Sequence, residues 1–322
     1  MTGMTSVPWP RAWHDALYAG HGFYRSPAGP GGHFATSTQG IPGGGALFAR
    51  AVATLADEHR FDTVVDLGCG RGELLGHLRP LLPHVRLLGV DVVPRPADLP
   101  EDVDWVQSPG GAELPDDLVG LPGGTLLLAH EWLDVVPCEI GEVDDHGLVR
   151  RVLVEPSSGE ERLGDPLPGE DLQWCARHWP LEQAVPGDRV EVGRARDEAW
   201  ERALKIVGRG IAVAVDYGHR RVERPRHGTL TGYRSGHQVR PVPDGSCDLT
   251  AHVAMDSLDH DDLLDQRKAL HRLGVRAGTP AHALARRDPS AYLVQLAESS
   301  AAAALTAPGG LGDFLWAFRY LT

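Results

Sequence analysis

The stretch Val64–Leu78, VVDLGCGRGELLGHL, joins a β-branched apolar run to a helix through three glycines at alternate positions. A strand, a turn of bare backbone and a helix N-terminus in that order limit the chain to an α/β unit with a ligand set against the turn. The pattern is Asp66-x-Gly68-x-Gly70-x-Gly72, and Glu73 stands where a dinucleotide turn would need its third glycine for close helix packing. An acidic residue two before the first glycine repels a phosphate and suits an ammonium group.

Asp91 ends the next apolar run, at a place where a carboxylate can accept both hydroxyls of a ribose. A ligand with an ammonium at one end and a ribose further along is S-adenosyl-L-methionine (SAM). The expected cofactor set is therefore Asp66, Gly68, Gly70, Gly72 and Asp91, and the expected class is a SAM-dependent methyltransferase rather than a dehydrogenase.

Further short apolar runs lie at 85–93, 124–131 and 210–218, separated by helical or Pro-rich connections. Strands alternating with crossovers predict a parallel, doubly wound sheet. Residues 1–60 read as a Gly-rich loop and a helical segment. Residues 61–138 and 208–322 read as the sheet domain. The stretch 139–207 is too long for a crossover and reads as an inserted cap that opens with a hairpin around DDHG. The connection 218–248 shows little periodicity. From HDDLLDQRKAL at 260 onward the chain reads as helical, closing on the strand-like FLWAFRYL.

In a doubly wound sheet, ligands sit beyond the carboxyl ends of the strands. The run LLLAHEWLDVVP thus delivers Glu131 and Asp134 to the rim, where two carboxylates could grip a guanidinium and take up its proton. HEWLD only brushes the zinc pattern HExxH, because its last position is Asp134, and no metal is expected. Position alone leaves open whether these carboxylates do chemistry or cap the following turn.

The formal net charge of -13 argues against a nucleic-acid partner. The four cysteines, Cys69, Cys138, Cys175 and Cys247, form no CxxC pair, which fits a reducing compartment. No apolar leader or membrane-length apolar run is present, so the expected location is the cytoplasm, with no membrane partner.

Several linked motifs resemble the MidA-like family of SAM-dependent methyltransferases, which includes a mitochondrial complex I assembly factor that methylates a protein arginine. GFYRSPAGPGGHFATS is similar to that family's N-terminal Gly-rich loop, VVDLGCGRGELL to its SAM turn, and HEWLDVVP to its Asn-Glu-x-x-Asp-x-x-Pro element. AVAVDYG, HGTLTGYRSGHQ and CDLTAHV follow in the family's order. The resemblance implies a Rossmann-like class I methyltransferase with a mostly parallel seven-stranded sheet, acting on a protein arginine, with Glu131 and Asp134 as catalytic clamp. It also implies an acceptor wall of Asp216, Tyr217, Tyr233, Asp248 and His252. The chain departs from the family at His33, at Thr38 and Gln39, and at His130, all on the acceptor side. A small-molecule acceptor and a non-catalytic assembly role are the alternatives.

Overall fold

The computed structural model describes residues 6–25, 37–116 and 118–322. The expected Gly-rich loop, with His33, lies largely outside the described residues.

Two helices come first: α1 (Trp9–Tyr18) and α2 (Gly44–His59). The chain then runs through β1 (Thr63–Leu67), α3 (Glu73–Leu78), β2 (Arg86–Asp91), β3 (Val103–Gln107) and β4 (Leu121–His130). After the inserted region come α4 (Arg194–Leu204), β5 (Val207–Asp216), β6 (Asp262–Asp265), α5 (Pro289–Leu305) and β7 (Leu315–Leu321). The seven strands form one sheet in the order β3-β2-β1-β4-β5-β7-β6. Strands β1 to β5 pair in parallel, and β7 runs antiparallel to both β5 and β6.

Side-chain alternation explains why these runs are apolar throughout. Val64, Leu126, Leu128 and Val213 pack on one face with Phe48 of α2 and Leu75 of α3. Val65, Leu127, Ala129 and Ala212 pack on the other with Trp200 and Ala203 of α4. A parallel sheet covered on both sides has no wet face to mark with polar residues.

The inserted region does carry the expected hairpin, Glu139–Val143 against Val149–Val154. Its sheet is larger than the insertion, however, because Val7–Pro8 pairs with Leu153 and Val154. Helix α1 packs beside it, with Trp13 and Leu17 against Ile140, Val152 and Leu249. The N-terminal segment is thus split between the two sheets. At the other boundary, α4 lies within 139–207 yet covers the main sheet.

Two further expectations are corrected. Asp262–Asp265 is a strand rather than the start of a helix, because Leu263 and Leu264 pair with Ala317 and Trp316, and the helix begins only at Gln266. The connection 218–248 contains Thr231–Arg234 and His237–Val239, which join Asp248–Thr250 in a three-stranded sheet. In both places long-range pairing outweighs the local pattern. Among the described residues, no helix is long and apolar enough to cross a membrane.

Candidate active site

The carboxyl ends of β1, β2 and β4 open on a cleft of about 700 Å³. Asp66, Gly68, Cys69 and Gly70 form one wall, Asp91 and Val92 a second, and His130, Glu131 and Trp132 a third. Tyr18, Tyr24 and Arg25 come over from the N-terminal segment. Arg25 is tied down by donating to the carbonyls of Tyr18 and Pro109.

Gly68, Gly70 and Gly72 all adopt left-handed backbone. At Gly68 a Cβ would stand 2.9 Å from Trp132 Cδ1, so the bare position is what allows cleft and turn to coexist. Gly72 differs from the expectation: it does not line the cleft, and its Cβ would strike Leu99 at 2.7 Å. It packs the start of α3 against Leu99 and Trp105.

Asp66 is buried near the end of β1, and burial, with Asp91 and then Glu73 nearby, raises its carboxyl to about 8. Asp91 accepts from the Gly70 N–H at 2.7 Å through one oxygen and from the Val93 N–H at 3.1 Å through the other. Burial lifts it to about 6, against the pull of those N–H groups. Each oxygen keeps a lone pair for a ribose hydroxyl.

On the acceptor side, Glu131 reaches the cleft and Asp134 does not. Asp134 is 2 % exposed, and its Oδ2 accepts from Tyr217 Oη and from Thr250 Oγ1. The expected pair of gripping carboxylates is therefore one carboxylate in the cleft and one that positions a tyrosine. Asp216 is fully buried and accepts from the N–H groups of Leu133 and Asp134 at 3.0 and 3.3 Å. It holds the loop after β4 instead of lining an acceptor wall.

Asp248 is buried as well and accepts from Tyr24 Oη at 2.8 Å, with its carboxyl raised to about 8, chiefly by burial. Tyr217 stands half-buried with the His252 ring edge-on at 5.4 Å, so these two meet each other, but neither lines the cleft. Tyr233 sits half-buried in the three-stranded sheet, where its backbone pairs with Asp248, and does not line the cleft.

Sequence reasoning missed Arg196 of α4, whose flanking RARDEAW reads as an ordinary charged helix. Its buried guanidinium donates to the carbonyls of Asp134, Val136 and His252 and lies 5.7 Å from the Trp13 ring. One side chain thereby ties the loop after β4 to the segment around His252. Tyr18 and Tyr24 were also missed, since nothing in the sequence says that the N-terminal segment folds over the cleft.

The residues present suit SAM: a buried acid with no cation beside it among the described residues for the ammonium, a Cβ-free wall at Gly68, and Asp91 for the ribose. Residues 46–273 match the model of a family described as "Putative S-adenosyl-L-methionine-dependent methyltransferase". The chain belongs to that family, and its cofactor is S-adenosyl-L-methionine.

It is similar in fold to a "likely methyl transferase" from Burkholderia thailandensis whose crystal structure holds S-adenosyl-homocysteine (SAH). That match has 23% identity and a TM-score of 0.74 over 98% of this chain and 88% of the other. A second crystal structure, of an uncharacterized superfamily protein from the same organism, matches at 22% identity and a TM-score of 0.73, over 98% and 87%. No curated protein matches this chain.

A pH dependence follows from Asp66. At pH 7 a carboxyl poised near 8 is largely protonated, and a cationic ligand favours its ionised form, so binding expels a proton. Affinity for SAH should rise between pH 6 and 8, by at most about tenfold per unit. Calorimetry in two buffers of different ionisation enthalpy checks this, and identical heats in both would exclude Asp66 as the ammonium partner. The free protein carries the opposite linkage. Its folded carboxyl holds a proton that the unfolded chain loses near pH 4, so this group's contribution to stability falls as pH rises toward 8.

Proposed function

We propose that the protein is a MidA-like, class I methyltransferase with a Rossmann-like fold that methylates an arginine nitrogen of a protein partner in the cytoplasm. The observation that carries this reading is the acidity around the acceptor end of the cleft. Glu131 reaches the cleft and interacts electrostatically with buried Asp134, Asp216 and Asp248. Such surroundings favour a cationic acceptor over a neutral or anionic one.

When bound, S-adenosyl-L-methionine supplies a methyl group on a sulfonium sulfur, which is left as a thioether while the acceptor nitrogen gains the methyl and gives up a proton. Glu131 accepts a hydrogen bond from the acceptor and then its proton, within the hydrogen-bond reach that general-base work requires. Tyr217, fixed by Asp134 and Thr250, packs against His252 behind the cleft lining. Tyr24 and Arg25 cover the cofactor and limit water.

The test is incubation of cell extract with the protein and methyl-deuterated SAM, followed by mass spectrometry of proteins and small molecules. Label on arginine of one or a few proteins is the expected result. Label confined to small molecules, or to residues other than arginine, would overturn the acceptor assignment while leaving the cofactor assignment standing.

A further inference from the structure

Among the described residues, two buried polar atoms at the acceptor end of the cleft lack a hydrogen-bond partner and face each other: His130 Nε2 and Glu131 Oε1, 3.2 Å apart. They are near enough for a hydrogen bond but off its angle. Buried polar atoms are nearly always paired, and catalytic hydrogen bonds are often misaligned until the site fills.

We propose that His130 is a positioning residue for Glu131: its Nε2–H donates to Glu131 Oε1 as the cleft fills, aims the carboxylate and keeps it ionised until it takes the acceptor's proton. The proposal rests on the reading of Glu131 as the proton acceptor.

The backbone is built for this contact. Consecutive side chains of a strand point to opposite faces, so His130 and Glu131 would ordinarily diverge. Glu131 instead has φ +53°, a left-handed conformation costly for a non-glycine residue, and its N–H is held by the Val215 carbonyl at 2.8 Å. That reversal swings its carboxyl back beside the imidazole. The His130 ring is fixed in turn by Phe48 of α2, with centroids 5.0 Å apart.

Charge supports the same assignment. The groups acting on Glu131 are Asp134 in its own loop and Asp248 from the three-stranded sheet; Asp216 and Tyr217 at the end of β5 feel its charge in return. All are acidic, and burial with these neighbours pushes Glu131 well above the usual carboxylate range. Its stabilising contact is a backbone hydrogen bond from Ser37. Arg196 is spent on three carbonyls. Burial drives His130 down to about 3, so at neutral pH it is an uncharged ring with one N–H to offer.

The experiment is NMR of ¹⁵N-imidazole and ¹³C-carboxyl labelled protein saturated with SAH, in the wild type and in His130→Leu and His130→Gln. The wild type should show a neutral His130 protonated on Nε2 down to pH 5. The Glu131 midpoint should rise by at least about one pH unit in His130→Leu, and return most of the way in His130→Gln, whose amide restores a donor.

A His130 that charges near its ordinary value, an Nδ1–H tautomer, or a Glu131 midpoint unmoved by His130→Leu would overturn the proposal. SAH affinity equal across the three proteins confirms that the fold is intact. The NMR reads the pair itself, whereas loss of the role given to Glu131 would appear as undiminished methyl transfer by Glu131→Gln.

Discussion

Replacing Gly68 by Val is expected to lower SAH affinity by at least about 100-fold, equivalent to about 2.7 kcal/mol. Two costs combine there. The residue sits at φ +73°, where a β-branched side chain is strained, and its Cβ would lie 2.9 Å from Trp132 Cδ1 and 3.2 Å from Trp132 Cβ. Trp132 is itself buried and lines the cleft, so it can yield only into the space the cofactor needs. Gly76 in α3 is the control, because a Cβ there meets nothing within 4 Å, and Gly76→Ala should bind SAH as the wild type does. Calorimetric titration of both variants decides the matter. Wild-type affinity in Gly68→Val would remove this turn from the cofactor site.

The second large effect belongs to Glu131. Glu131→Gln keeps the shape of the side chain and removes its capacity to take a proton, so methyl transfer to the acceptor in extract should slow by about 10²- to 10⁴-fold. SAH affinity should stay within about threefold of wild type. The two readouts separate a catalytic role from a binding one. Unchanged transfer would exclude Glu131 as proton acceptor, and a collapse of SAH affinity would place its carboxyl on the cofactor side instead.

Asp66, Gly68, Gly70 and Asp91 were brought to one cleft as the sequence pattern expected, because their signals are local: the first three lie within five consecutive residues, and Asp91 ends the very next strand. The order of the apolar runs likewise announced the parallel part of the sheet. Motif position could not say which way a carboxylate faces. Asp134 in its loop and Asp216 at the end of β5 occupy the expected places, yet each is turned inward by partners more than eighty residues away, Tyr217 for one and the N–H groups of Leu133 and Asp134 for the other. Strand Asp262–Asp265 was misread for the same reason, since a short stretch holding two leucines becomes sheet only by pairing with residues 315–318. Arg196 shows the limit most clearly, as all three of its acceptors are backbone carbonyls that no side-chain pattern can announce.

The place of β7 in the main sheet bears on how the protein is made. Residues 315–321 lie between β5 and β6, antiparallel to both, so β6 has no neighbour in that sheet until the last strand arrives. A ribosome-bound chain can settle β1 to β5 early, but it cannot complete that edge before residues 315–321 emerge. Partners so distant in sequence make the final step slow and leave the side of β5 open meanwhile. Loss of residues 315–321 would therefore yield a sheet with an unpaired apolar edge, prone to aggregate, rather than a slightly shortened enzyme.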